Sequence, residues 1–173
     1  MNMEQFTTAS QELLQSAAQI ALKHHNSVLQ PIHVVAASLE NDFCLTFFNM
    51  TDVPTHELKL LVHRELELLP TVSSSSGSSI SVSKELEEFL KNCETEARAL
   101  GDEYISLEHI LIAFTSSKQL SPALKNFFER SGFTAKEVKA QTQKLRKGKK
   151  VTDKNAESQY QVLEKFTQNL TKQ

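Results

Sequence analysis

The chain has 173 residues, a net charge of −2, four glycines, four prolines and no tryptophan. This nearly balanced charge lacks the basic excess that is typical of nucleic-acid-binding proteins. No apolar run reaches about 18 residues, and the first ten residues contain no basic stretch followed by an apolar core, so neither a transmembrane span nor a secretory signal is expected. The scarcity of glycine and proline favours an all-α fold.

Helical periodicity predicts four helices in the first half of the chain. Thr7 can cap the first of them with its hydroxyl, and Pro31 stands at the first position of the second helix, where its missing N–H costs nothing. The serine-rich stretch 73–79 cannot bury apolar surface, so it is predicted to be a flexible link. The four predicted helices cover residues 8–24, 31–40, 43–49 and 54–69.

The second half repeats this order of helices. Ser106 is a plausible N-cap whose hydroxyl can take a first-turn N–H, and it precedes an almost wholly apolar helix with Glu108 in its first turn. Gly101 ends the preceding helix, and Thr134 opens a capping box with Glu137 before the last one. The four predicted helices cover residues 84–100, 107–115, 122–131 and 135–147.

The two halves match at a fixed offset of 76 residues, which grows to 80 further along the chain. His33 then corresponds to His109, and Thr7 to Ser83. A tandem duplication explains this match, and two copies would bury their apolar faces on one another as a single pseudo-twofold domain. The predicted domain covers residues 1–148, with repeat 1 at about 6–69 and repeat 2 at about 82–147.

The character of the sequence changes after Gly148. A basic cluster, which includes Arg146, is interpreted as a helix C-terminus and a solvated hinge. Residues 149–173 are predicted to form an amphipathic linker helix that has no partner in this chain and packs against something further downstream. Its apolar face consists of Ala156, Tyr160, Leu163, Phe166 and Leu170.

Catalytic and metal-binding patterns are scarce in this sequence. The glycines form neither a P-loop nor a dinucleotide fingerprint, and no third ligand accompanies His56 and His63, so no metal site is expected. The matched positions of His33 and His109 favour a structural role for both, either as caps or in buried hydrogen bonds. Nothing marks a nucleophilic serine. The sequence therefore predicts a binding module and not an enzyme, with a stand-alone helical enzyme as a remote alternative.

The double repeat, together with the segment GDEYISLEH at 101–109, resembles the N-terminal domain of the Clp/Hsp100 family of AAA+ unfoldases. The segments VTDKNAE at 151–157 and YQVLEKF at 160–166 resemble the linker before the first ATPase domain in the disaggregase branch of that family. The chain contains no Walker motif, so the resemblance implies an N-terminal fragment of a longer, cytoplasmic protein. ATP and magnesium would then belong to the parent protein, and no cofactor is expected in this chain.

The resemblance also implies a function and a set of partners. The domain would capture unfolded or aggregated polypeptide for a homohexameric AAA+ ring that works with the Hsp70 system, whereas the chain alone would be monomeric and bind neither nucleic acid nor membrane. The alternative is an adaptor-docking domain of a Clp protease unfoldase.

The polar positions beside the binding groove of similar domains map onto Thr7, Asp102 and Glu108. Helix capping is the competing interpretation for all three. Replacing Asp102 and Glu108 by alanine is predicted to weaken capture and to shift the melting temperature by only a few degrees.

Overall fold

The computed structural model describes residues 2–73 and 80–158, which form an all-α fold, as the sequence predicts. Thr7, Asn41, Ser83, Ser121 and Thr134 each cap the helix that follows them by accepting a backbone N–H in its first turn. The predicted helices are found with boundaries that agree to within a few residues. The helices are α1 (Thr8–Lys23), α2 (Pro31–Ser38), α3 (Asp42–Met50), α4 (Thr55–Glu67), α5 (Lys84–Ala99), α6 (Leu107–Ser116), α7 (Pro122–Arg130) and α8 (Ala135–Arg146).

The helices α2 and α6 lie at the centre of the fold. Every residue of α2 is buried, and α6 is buried from Leu107 to Phe114, because apolar residues occupy most positions of both helices. Helix α2 packs on α1 and α4, and α6 packs on α5, α7 and α8 and also contacts α3. Leu111 of α6 has no exposed surface and lies in the core.

Two short backbone pairings join the halves of the chain. The strands β1 (Val28–Leu29) and β2 (Ser81–Val82) run parallel, with Leu29 opposite Val82, and an isolated parallel bridge joins Phe6 to Ile105. Phe6 and Val82 differ by the 76-residue offset, and so do Leu29 and Ile105. The offset therefore exchanges the two pairings, as a twofold arrangement of two copies requires. The strands were not predicted, because elements of two residues carry no periodicity.

Residues 149–158 pack against the helical body. Val151 has no exposed surface and Ala156 is 4% exposed, and backbone hydrogen bonds join this segment to both halves. The prediction that the chain after Gly148 has no partner within the chain is therefore wrong for residues 149–158, which are held by the burial of Val151 and Ala156 and by backbone hydrogen bonds. The predicted helix is also wrong for residues 149–155, because these contacts hold them in an irregular conformation with a turn. The rest of the predicted linker helix, at 159–173, and most of the serine-rich link, at 74–79, lie outside the described residues.

Two further findings bear on the character of the chain. Among the described residues, none of the helices has the length and apolar content needed to cross a membrane. Cys44 and Cys93 are free and completely buried. Burial raises the pKa of both thiols far above the usual range.

Candidate functional site

Thr7 lies at the start of α1 and faces the interior. Its Oγ1 accepts the N–H of Ser10 at 3.2 Å and donates to Oε2 of Glu157 at 2.6 Å. The Thr7 N–H donates to the carbonyl of Ile105 at 3.0 Å, which places this residue beside the start of α6. Thr7 has no exposed surface, and its hydrogen bond from the Ser10 N–H shows the capping role directly.

Asp102 follows the left-handed Gly101 at the end of α5 (φ +74°), and its carboxylate turns into the protein. Oδ2 accepts hydrogen bonds from Nε2 of His109 at 2.7 Å and from Nη1 of Arg146 at 2.8 Å, while Oδ1 accepts the N–H of Val151 at 2.9 Å. Burial alone would raise the pKa of Asp102, but the donors His109, Val151 and Arg146 outweigh it and leave that pKa lowered.

Glu108 lies in the first turn of α6, as predicted, and is completely buried. Its Oε2 accepts the hydroxyl of Ser106 and Nη2 of Arg146, the latter at 2.8 Å. Arg146 on α8 therefore bridges Glu108 and Asp102 while remaining only 2% exposed. Burial opposes the charge on Arg146, but the two carboxylates raise its pKa above the usual value.

His109 completes the cap of α6, because its Nδ1 accepts the N–H of Ser106 at 2.8 Å. The Ser106 hydroxyl, which was predicted to cap the helix, contacts Glu108 and the imidazole of His109. The predicted structural role of the two histidines is confirmed: Nδ1 of His33 accepts the N–H of Gln30 at 2.9 Å, and its Nε2 lies 2.9 Å from Oδ1 of Asn26.

The polar residues beside these two histidines differ in charge. Asn26 and Asp102 also correspond at the 76-residue offset, so a neutral amide in the first half stands where a carboxylate stands in the second. The amide of Asn26 donates to the carbonyl of Pro70, beyond α4, whereas Asp102 binds Arg146 and the segment beyond α8. The carboxylate of Asp102 therefore needs a buried cation, which Arg146 supplies, whereas the neutral amide of Asn26 needs none.

Glu157 closes the arrangement from the C-terminal segment. Oε2 accepts both the Thr7 hydroxyl at 2.6 Å and the N–H of Leu107 at 2.8 Å, and Glu157 is 1% exposed. Burial, and secondarily the charge of Glu108, raises the pKa of Glu157 to about 7. The charges of Glu157 and Glu108 also contribute to the raised pKa of Cys44, which faces this region from α3.

We call these residues the polar cluster, and its members lie on five parts of the chain. The structure brings together all three predicted site residues, but it buries them among side chains of the same chain. Their role in binding polypeptide therefore stays a prediction. The cluster consists of Thr7, Asp102, Ser106, Glu108, His109, Arg146 and Glu157.

Sequence reasoning missed two members of the cluster. Arg146 was interpreted as part of a helix C-terminus and solvated hinge. It does end α8, but its expected solvation is wrong, because it continues the buried positions Val138 and Thr142 at four-residue spacing. That spacing was a usable signal. Glu157 gave no comparable signal, because its partners lie about 150 and 50 residues away in sequence.

A groove of about 790 Å³ lies beside the cluster, between the N-terminus, β2 and α5. Its apolar lining includes Met3 (40% exposed), Val82 (47%) and the edge of Leu90. Glu87 and Glu94 outnumber Lys91 among its charged side chains, so it favours basic partners slightly. Within residues 2–73 and 80–158, no group of three or more His, Cys, Asp or Glu side chains is arranged to hold a metal ion.

Comparison with known proteins gives consistent matches. The profile of the Clp repeat (R) N-terminal domain matches residues 5–127. The chain is 34% identical to the chaperone protein ClpB of Bacteroides thetaiotaomicron over 98% of its own length and 19% of that protein. It is also 34% identical to the ClpB of Lactococcus lactis subsp. cremoris over 100% of its own length and 20% of that protein. The chain thus spans about a fifth of the length of these relatives.

A solved structure shows the same fold. The N-terminal domain of Hsp104 from Candida albicans superposes with a TM-score of 0.71 at 22% identity, covering 87% of this chain and 97% of that chain. Because the profile covers most of the described helices, from the N-terminus into α7, the chain belongs to the family of Clp repeat N-terminal domains.

Proposed function

We propose that this domain captures unfolded or aggregated polypeptide for an AAA+ disaggregase, of which it forms the N-terminal part. The open apolar groove beside the N-terminus carries the proposal. Extended polypeptides expose apolar side chains that a folded protein buries, and Met3 and Val82 offer matching surface that no other described part of the chain covers.

The size of the groove suits transient capture. A groove of about 790 Å³ can bury a few side chains, and ordering a flexible polypeptide opposes binding, so the affinity is expected to be weak. Weak binding allows the captured chain to be passed on, since a tight complex would release it slowly. Threading through a hexameric ring, cooperation with Hsp70 and the use of ATP and magnesium would belong to the longer parent protein, and we expect no ATPase activity from residues 1–173.

The test is the binding of a permanently unfolded protein, such as reduced and carboxymethylated lactalbumin, to the purified chain. The variant Met3→Ser/Val82→Ser removes apolar surface from the groove at two exposed positions. It should weaken binding about tenfold, which corresponds to about 1.4 kcal/mol. Because both side chains are already partly exposed, the melting temperature should hardly change.

The matched control replaces two exposed leucines outside the groove. Leu60 is 56% exposed on α4 and Leu68 is 80% exposed just beyond it, and neither lines the groove. The variant Leu60→Ser/Leu68→Ser should bind as the wild type does. Unchanged binding by the groove variant would reject the groove as the capture site, and a loss confined to the control would move that site to α4.

A further inference from the structure

Residues 149–158, which we call the C-terminal strap, are held against the polar cluster by peptide-like contacts. The N–H of Val151 donates to Asp102, and the carbonyl of Val151 accepts the N–H of Glu103 at 2.8 Å. Three residues on, the carbonyl of Lys154 accepts the N–H of Thr8 at 2.8 Å. Groups of the helical body thus bind the strap backbone at Val151 and at Lys154, and contacts to the backbone do not depend on the sequence of the bound segment.

The side chains of the strap reinforce this mode of binding. The carboxylate of Glu157 accepts hydrogen bonds from the Thr7 hydroxyl and the Leu107 N–H. The ammonium of Lys154 lies 5.9 Å from the ring centre of Tyr104. The strap side chains Val151 and Ala156 are buried against the helical body. The strap therefore combines backbone pairing, an apolar anchor and one charged anchor, which are the elements by which a peptide is recognised.

The strap is also held imperfectly. Among the described side chains, Oε1 of Glu108 and Oε1 of Glu157 are buried without a hydrogen-bond partner. A buried carboxylate oxygen without a donor opposes the packed state, because in water it would be solvated. Withdrawing the strap would return Glu157 to solvent and uncover Thr7 and Asp102.

We propose that the C-terminal strap occludes, in cis, the subsite formed by the binding positions expected from the family resemblance, Thr7 and Asp102 with the start of α6, and that its release opens this subsite to the captured polypeptide. The inference rests on the proposed capture function and extends it. With the strap docked, Thr7 has no exposed surface and Asp102 is 8% exposed, so the apolar groove is accessible and this subsite is not. With the strap released, the groove and the uncovered subsite lie on both sides of Phe6.

One substitution is designed to release the strap and leave the helices intact. Thr8 is the first residue of α1, its side chain is exposed, and its N–H is bonded to Lys154. Proline is favoured at this position, and Thr7 already has the extended conformation (φ −62°, ψ 161°) that a residue before proline takes. Thr8→Pro therefore removes the donor and places a ring against the Lys154 carbonyl without disturbing α1.

The control uses the corresponding position of the second half. Lys84 is the first residue of α5, is exposed, and follows Ser83 in the same extended conformation (φ −71°, ψ 156°). Lys84→Pro makes the same change away from the strap. A second releasing variant, Val151→Pro, lies on the strap itself and removes the N–H that Asp102 accepts.

Hydrogen exchange and binding are measured on the full 173-residue chain. In both releasing variants the amides of Glu103 and Leu107 should exchange faster, while exchange in the centre of α6 stays as in the wild type. If the strap is docked about nine-tenths of the time, its release should strengthen binding of carboxymethylated lactalbumin about tenfold. Lys84→Pro should change neither quantity.

The outcomes separate this inference from the capture function. Faster exchange with unchanged binding would overturn the occluded subsite and leave capture by the groove intact. Unchanged exchange in both releasing variants would overturn the strap as a releasable element. If neither the wild type nor any variant binds the unfolded protein, the capture function fails, and the subsite fails with it.

Discussion

Among the described residues, Arg146 is the only cation that contacts both buried carboxylates, Asp102 beyond α5 and Glu108 on α6, so its removal should strongly destabilise the domain. The variant Arg146→Met keeps most of the aliphatic packing and removes the guanidinium. Two charge-assisted hydrogen bonds, each 2.8 Å long, are lost. Such bonds contribute about 1.5–3 kcal/mol each, and removing one partner of a buried ion pair typically costs about 3–5 kcal/mol. We expect a loss of about 3–5 kcal/mol in the free energy of unfolding.

Urea denaturation followed by circular dichroism at 222 nm measures this loss, since the chain has no tryptophan. Arg130→Met is the matched control: Arg130 lies 3.8 Å from Glu57, and both side chains are about 60% exposed (62% and 59%). An exposed pair of this kind contributes only about 0.2–1 kcal/mol.

A double variant tests whether buried carboxylates left without a counter-ion cause the loss of stability in Arg146→Met. Adding Glu108→Gln to Arg146→Met neutralises one of the abandoned carboxylates, so part of the lost stability should return. If Arg146→Met lost no more stability than Arg130→Met, or if the added Glu108→Gln returned none of it, the account of the cluster as a charge-balanced core would be refuted.

Three further outcomes follow from the described burial and charges. Leu111→Ala should cost about 2–5 kcal/mol in urea denaturation, because Leu111 has no exposed surface, and a loss under about 1 kcal/mol would contradict the central position of α6. The pKa of Glu157 is raised from 4.5 to about 7 in the docked strap, so the docked state binds the proton more tightly. Docking is therefore strongest below about pH 4.5, weakens as the pH rises to about 7 and stays constant above that. Amide exchange in the strap, corrected for its intrinsic pH dependence, should show this trend in the wild type and lose it in Glu157→Gln. Both cysteine thiols should resist a thiol reagent in the native protein and react on unfolding, since burial keeps them protonated and inaccessible; rapid labelling of native protein would contradict their placement.

The structure changes the expectation for Asp102 and Glu108. Replacement of both by alanine was predicted to shift the melting temperature by a few degrees, as the loss of an exposed first-turn carboxylate would. Both carboxylates instead neutralise Arg146 inside the protein, so the double variant leaves a buried guanidinium without a partner. A loss of binding in that double variant would then reflect unfolding. Substitutions that release the strap, such as Thr8→Pro, separate an effect on binding from an effect on stability better.

The sequence by itself determined the helices and their order. Apolar spacing, capping residues such as Thr7 and Ser83, and the proline at the start of α2 act within one or two turns, so local chemistry decided them. The similarity at an offset of 76 residues also predicted the shared role of His33 and His109, since both act on the N–H three residues earlier.

Only the tertiary structure decided which charges are buried and which segment covers them. Arg146 belongs to a run of basic residues whose neighbours Lys147 and Lys149 are exposed, and its burial follows from the position of α8 against α6. Glu157 meets Thr7 and Leu107 across separations of 150 and 50 residues. Contacts of this kind depend on how the helices pack, and no local periodicity encodes them, because a side chain's environment is fixed by elements that are distant in sequence.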